Sequence, residues 1–80
     1  MADNKQIISP IPGVFYRRPS PEEEIYINEG QKVQTEDVVG LIEVMKNFTE
    51  IVSGEEGVVK KFLVEDEEVV EAGQVIAEIE

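Results

Sequence analysis

The chain has 80 residues, which is enough for one domain, and we expect that domain to span residues 1–80. It contains no cysteine and no histidine, so disulfides, a thiol nucleophile, Cys-ligated metal sites and the commonest general base are excluded. Only carboxylates could bind a metal ion, and none has the spacing of a calcium loop, so no metal site is predicted. The 18 acidic residues outnumber the 7 basic ones, giving a net charge of −11. Nucleic acid and anionic membranes are therefore poor partners, whereas a basic protein surface is a better one.

The first residues predict a flexible N-terminal segment over residues 1–6. The opening MADNKQ is not followed by the apolar stretch of a signal peptide. No apolar run approaches the roughly 18 residues that a membrane-spanning helix needs. We therefore expect a cytoplasmic protein with no membrane partner.

Short segments rich in valine and isoleucine follow, separated by glycine and by acidic turns, and this pattern predicts an all-β fold. No segment keeps helical spacing for long. The predicted strands are residues 7–9, 14–17, 38–44, 48–52, 58–64 and 75–79, with shorter pieces at 31–33 and 68–70.

The two halves of the chain align with each other, which predicts an internal pseudo-twofold repeat. Residues 27–43 align with residues 64–80 at a shift of 37, whereas Ser9 and Gly13 align with Ser53 and Gly57 at a shift of 44. The two shifts differ by seven residues, so the first half carries an insertion, placed near Arg17 and extending over residues 17–24. Residues 20–23, Ser-Pro-Glu-Glu, resemble a capping box and predict one helical turn at most. This insertion is either a solvated loop or a protrusion that contacts a cargo or a partner.

The repeat also predicts which side chains face the core. Glu78 aligns with Leu41, and charged residues rarely point into a core, so Leu41 should lie on an outer face, under the insertion or at a partner contact. The residues predicted to face inward are Val38, Gly40, Ile42, Val75, Ala77 and Ile79.

Met45 and Lys46 lie at the junction of the two halves, which predicts an exposed hairpin turn far from both termini. Tight hairpin turns favour Asn-Gly or Asp-Gly, so this pair is a poor turn sequence. A catalytic lysine needs a pocket that lowers its pKa, and a hairpin tip offers none. Lys46 is therefore either an ordinary surface lysine or a lysine presented for modification by another enzyme. Glu43 and Glu50 flank the tip without a partner base, so no catalytic residue is predicted.

Three stretches resemble the biotin carboxyl carrier proteins of bacterial-type acetyl-CoA carboxylase, in the biotinyl/lipoyl attachment family. EVMKN resembles the biotinylation motif, which usually reads Glu-Ala-Met-Lys-Met. Residues 9–21, SPIPGVFYRRPSP, resemble the opening of that domain, and GQKV at residues 30–33 matches one of its turns. The resemblance extends from about Ile8 to Glu80.

The resemblance implies a flattened β-barrel, or barrel-sandwich hybrid, of two four-stranded antiparallel sheets. A biotin protein ligase would join biotin to Lys46 through an amide. The hairpin that the ligase recognises would comprise Glu43, Val44, Met45 and Asn47. The chain would be a non-catalytic carrier that takes a carboxyl group from a biotin carboxylase to a carboxyltransferase. The parent enzyme would be acetyl-CoA carboxylase, which catalyses the first step of fatty acid synthesis, or a related biotin-dependent carboxylase. The resemblance leaves open whether the chain self-associates in that complex.

The insertion resembles the thumb of these carriers, a loop that contacts the biotin ring. Its candidate residues are Arg18, Pro19, Ser20 and Pro21. The chain departs from the usual motif at Val44, which replaces Ala, and at Asn47, which replaces Met. Both flank the lysine, so they are expected to affect which ligase and carboxylase accept the chain. The Pro/Ala-rich linker of the family is absent, so the sequence is either a short carrier or a fragment.

Two alternatives remain. A lipoyl carrier shares the fold and the presented lysine, but Met45 and the insertion argue against it, because lipoyl motifs place Asp before the lysine. An unmodified interaction module would use the acidic surface alone and leave Lys46 free.

Overall fold

The computed structural model describes residues 5–80, which form eight strands in two four-stranded antiparallel sheets. The strands are β1 (Lys5–Ile8), β2 (Gly13–Tyr16), β3 (Lys32–Val33), β4 (Val38–Val44), β5 (Asn47–Val52), β6 (Gly57–Phe62), β7 (Glu68–Val70) and β8 (Val75–Ile79). One sheet, here called the terminal sheet, has the order β1-β8-β6-β3; the other, the hairpin sheet, has the order β5-β4-β2-β7. The predicted fold is confirmed, and each predicted strand is present with its ends displaced by two residues at most.

Residues 1–4 of the predicted flexible segment lie outside the described residues. Lys5 and Gln6 do not fit that prediction, because they pair with Ile79 and Glu78 at the start of β1. Helices are absent from residues 5–80, so that part of the chain has none that is long and apolar enough to cross a membrane.

The internal repeat is visible in matching hydrogen bonds in the two halves. Buried Ser9 donates its hydroxyl to the carbonyl two residues later, and buried Ser53 does the same. Gly13 and Gly57 share a second constraint: a Cβ on either would overlap a backbone carbonyl, that of residue 43 in one half and of residue 80 in the other. The sheet orders match as well, since β1, β8, β6 and β3 correspond to β5, β4, β2 and β7. The predicted pseudo-twofold arrangement is therefore present in the fold.

A single apolar cluster fills the space between the two sheets, with Phe15 as its largest fully buried side chain. Its members are Ile7, Phe15, Ile27, Val33, Val39, Ile42, Ile51, Val59, Val64, Val70, Ile76, Ala77 and Ile79. Gly40 lies directly against the Phe15 ring, where a Cβ would overlap ring atoms. The inward predictions for Gly40, Ile42, Ala77 and Ile79 are confirmed.

The inward predictions for Val38 and Val75 are wrong, because a β-bulge interrupts each of the two strands. In β4 the pairing with β5 skips residue 39, and in β8 the pairing with β1 skips residue 76. A bulge places an extra residue on one strand and breaks the alternation of faces. Val39 and Ile76 consequently enter the core, whereas Val38 and Val75 are only half-buried.

The insertion forms a closed loop on the hairpin sheet. The amide of Tyr26 donates to the carbonyl of Arg17 at 2.8 Å and closes its base, and the amide of Glu23 donates to the carbonyl of Ser20 at 3.1 Å within it. The predicted helical turn is thus a single hydrogen-bonded turn, and no helix forms.

Candidate functional site: the hairpin tip and the adjacent cleft

The tip of the β4–β5 hairpin is a two-residue turn with unusual backbone angles. Val44 pairs with Asn47, and between them Met45 and Lys46 have φ values of +50° and +69°. Two consecutive positive φ values are the geometry of a type I′ turn, which matches the twist of a hairpin and normally requires Asn and Gly. Side chains with a Cβ lose roughly 1–2 kcal/mol per residue in this conformation. The turn therefore uses two residues that are costly there, and Met45, 90% exposed, gains no packing in return.

The hairpin itself is firmly held by the rest of the domain. Strand β4 pairs with β5 on one side and with β2 on the other, and its Ile42 side chain is fully buried. Glu43 accepts a hydrogen bond at Oε1 from the Tyr16 hydroxyl at 3.0 Å. Among residues 5–80 no carboxylate oxygen lies within ion-pair distance of Lys46 Nζ. Lys46 is thus a free amine at the end of a fixed support.

The hydrogen bond between Tyr16 and Glu43 has an electrostatic consequence. A phenolate beside a carboxylate is unfavourable, and the lost hydrogen bond adds to this cost. The pKa of Tyr16 is consequently raised above its usual value, chiefly by the hydrogen bond to Glu43. Tyr16 therefore stays protonated and keeps donating to Glu43 well into the alkaline range.

A cleft of about 310 Å³ opens on the outer face of the hairpin sheet. Tyr16 of β2 and Phe48 of β5 contribute aromatic rings whose centres are 6.0 Å apart. The insertion forms one wall through Arg18, Pro19, Ser20 and Pro21, and Asp66 and Glu67 contribute acidic groups. The four residues predicted for the thumb are thus brought together in one cleft, with Phe48 only two positions from Lys46.

Asp66 fixes the base of the insertion to the second half of the chain. Its Oδ1 accepts a hydrogen bond from the backbone amide of Arg17 at 2.8 Å, and its Oδ2 lies 3.7 Å from Arg18 Nε. The Arg17 guanidinium lies over the Phe62 ring, 4.1 Å from the ring centre. The two arginines therefore stabilise the loop and do not project freely into solvent.

Comparison with known proteins adds a family to this geometry. A family model described as biotin-requiring enzyme matches residues 5–79. The chain belongs to this family. It is 38% identical over 74 residues to the biotin carboxyl carrier protein of acetyl-CoA carboxylase from Pyropia yezoensis, covering 92% of this chain and 47% of that protein.

A second relative is the biotin carboxyl carrier protein of acetyl-CoA carboxylase from Haemophilus influenzae. It is 39% identical over 72 residues, which cover 90% of this chain and 46% of that protein. The chain thus spans about half the length of these relatives. In the crystal structure of the Kluyveromyces lactis urea carboxylase, a segment superposes on 99% of this chain with a TM-score of 0.77 and 28% identity. This chain covers 6% of that much longer protein.

The structure also brings functional candidates to the site that the sequence did not reveal. Tyr16, Phe48, Asp66 and Glu67 line the cleft or hold the insertion, yet none was proposed for the site. The internal repeat offered one signal in the sequence. Tyr16 aligns with Lys60, so the first half has an aromatic residue where the second half has a charged one. For a metal ion, residues 5–80 contain no cluster of three or more His, Cys, Asp or Glu side chains that could hold one.

Proposed function

We propose that Lys46 is a biotin attachment site and that the chain is the carrier domain of a biotin-dependent carboxylase. The observation that carries this proposal is the left-handed Met45–Lys46 turn, whose φ values of +50° and +69° come from residues that the turn disfavours. A hairpin selected for stability alone would have Asn-Gly there. The energetically unfavourable pair therefore stands at an exposed turn, as expected if another enzyme recognises it.

The residues around the tip fit a covalently held biotin. Lys46 Nζ has no ion-pair partner among the described residues, so no internal contact has to be broken before it reacts. The amide would join Nζ to the valerate carboxyl with net loss of water, catalysed by a biotin protein ligase. Bound biotin would supply a ureido nitrogen that carries a carboxyl group between active sites.

The chain's own residues have the roles of support and contact. The doubly paired β4 strand fixes the base of the arm, and Glu43, Val44 and Asn47 present the surface that a ligase would meet beside Met45. The aromatic floor of Tyr16 and Phe48, with the insertion as a wall, is large enough at about 310 Å³ for a small ring system. No residue of this chain is assigned a catalytic step.

The proposed partners are a biotin protein ligase, a biotin carboxylase and a carboxyltransferase. The names of the relatives support acetyl-CoA carboxylase as the parent enzyme, and hence a role in fatty acid synthesis. Met45 before the lysine supports biotin over lipoate. The cytoplasmic location, the fragment alternative and self-association stay predictions.

Mass spectrometry after co-expression with a biotin protein ligase tests the proposal. We expect one biotinyl increment per chain, mapped to Lys46 and absent from Lys46→Arg. Lys60→Arg is the matched control, because Lys60 is also exposed and should leave the increment unchanged. A lipoyl increment in cells that contain both ligases, or a persistently unmodified Lys46, would refute the proposal.

A further inference from the structure

The acidic loop between β6 and β7 contributes Glu67 to the cleft beside the insertion. Glu67 has a φ of +66°, a left-handed conformation that favours glycine. The internal repeat aligns Glu67 with Gly30, which has a φ of +87°. The Glu67 amide donates to the carbonyl of Phe15 at 2.6 Å, and the Gly30 amide makes the equivalent bond at 2.7 Å. The two halves therefore form the same turn, one with a glutamate and the other with a glycine.

The carboxylate of Glu67 is not a requirement of this turn. Gly30 adopts the same conformation without a side chain, and a Cβ makes a left-handed conformation less favourable. Glu67 is exposed, and among residues 5–80 its carboxylate forms no ion pair. Its negative charge therefore stands unneutralised at the edge of the cleft.

The other charges of the cleft make its floor negative as well. Glu43 accepts the hydrogen bond of the Tyr16 hydroxyl there, and this bond is the chief reason that the pKa of Tyr16 is raised. The nearby charges that add to the shift are those of Glu43, Glu67 and Asp66, all carboxylates. Of the described side chains that line the cleft, only that of Arg18 is cationic, and its Nε faces Asp66 Oδ2 at 3.7 Å. One arginine against two carboxylates leaves the lining with a net negative charge.

A cargo attached at the tip would make this surface more negative still. Free Lys46 is a cation two residues from Phe48, so their Cα atoms are at most about 7 Å apart. Amide formation at Nζ removes that positive charge. The cargo would then be tethered beside a cleft whose aromatic floor suits an uncharged ring and whose carboxylates repel an anion.

We propose that the cleft binds the ring of biotin held on Lys46 while the ring is uncharged and releases it once the ring carries a carboxylate, an inference that rests on the proposed function. Carboxylation replaces the hydrogen of a ureido N–H by a carboxylate from bicarbonate. ATP is cleaved to ADP and phosphate, which takes one bicarbonate oxygen, and a proton is released. The carboxylated arm would thus stay extended for a carboxyltransferase, and only the emptied arm would return to the domain.

NMR spectroscopy of the biotinylated chain tests this inference through the amide of Ser20, which lines the cleft and is distant in sequence from Lys46. We expect biotinylation to move the Ser20 resonance. Bicarbonate, ATP and a catalytic amount of a biotin carboxylase that accepts the wild-type chain should return it toward its unmodified position. The expected fall in the ratio of docked to free ring is about tenfold, or roughly 1.4 kcal/mol. The same mixture without ATP should leave the resonance in place.

Glu67→Lys tests whether charge is the cause, with Glu36→Lys as the matched control. Both variants replace an exposed glutamate and change the net charge equally, but Glu36 does not line the cleft. After carboxylation, Glu67→Lys should keep the Ser20 resonance at its biotinylated position, whereas Glu36→Lys should behave like the wild type. The amide spectrum of each variant checks that the fold is kept.

The possible results separate this inference from the proposed function. A Ser20 resonance that biotinylation does not move, or that carboxylation leaves in place, would overturn the inference and leave the proposed function intact. Release of the carboxylated ring by Glu67→Lys as readily as by the wild type would do the same. A wild-type chain that shows no biotinyl increment at Lys46 by mass spectrometry would overturn both.

Discussion

Replacing Met45 by Asn should make the domain more stable, which is unusual for a mutation at a proposed functional site. Met45 has a φ of +50° and is 90% exposed, so it bears a backbone cost and contributes no packing. A residue with a Cβ loses roughly 1–2 kcal/mol in this region, whereas Asn tolerates it through its short polar side chain. We expect a gain of about 1 kcal/mol in the free energy of unfolding, or a rise in Tm of about 4–8 °C for a domain of this size.

Chemical denaturation followed by circular dichroism measures this gain. Met45→Ala is the matched control, because it keeps the Cβ and the backbone cost and should stay within about 0.5 kcal/mol of the wild type. If Met45→Asn were no more stable than Met45→Ala, the turn would store no strain, and the argument that the tip is selected for recognition would fail. Under the proposed function, the stabilised Met45→Asn chain should also be a poorer ligase substrate.

Three further predictions follow from the contacts of the domain. Asp66→Ala removes the contacts that anchor the insertion, so a glutamate-specific protease should cut within residues 22–24 about tenfold faster while the barrel stays folded. A tenfold change corresponds to roughly 1.4 kcal/mol in the free energy of local opening. Equal cleavage rates for the variant and the wild type would argue against the anchor. Gly13→Ala forces a Cβ into the Glu43 carbonyl and should cost about 1–3 kcal/mol, measured by thermal unfolding, and an unchanged Tm would contradict this close packing. The raised pKa of Tyr16 implies a contribution to folding stability that is complete below the ordinary tyrosine pKa of 10.0 and is lost as pH rises through the pKa of the folded state. In a Tyr26→Phe background, Glu43→Gln should lower the pH midpoint at which the absorbance of the Tyr16 phenolate appears. An unmoved midpoint would rule out Glu43 as the cause of the raised pKa.

The pairing of a rigid support with an accessible amine explains how a domain of this kind can work without chemistry of its own. The strands that hold Lys46 come from distant parts of the chain, since β2 pairs with both β4 and β7. Specificity in the proposal therefore comes from the shape and charge of the hairpin sheet around the lysine.

The internal repeat made much of this protein predictable from sequence. Matching serines, glycines and valines in the two halves located the strands, the insertion and the hairpin tip at the junction. The local pattern of valine and isoleucine was sufficient because most strands have one buried face. Lys46 could be identified as a candidate because the turn position and the unsuitable turn residues are both local properties of the sequence.

Tertiary structure alone decided which neighbours each side chain has. The bulges at Val39 and Ile76 change the buried face, because a bulge is a property of two paired strands and leaves no mark in the alternation of one. The contact between Asp66 and Arg17 joins residues 49 positions apart. The cleft likewise combines residues from separate strands, Tyr16 of β2 and Phe48 of β5. The sequence determined the elements and the tip, whereas the long-range pairing of strands determined the surface that surrounds it.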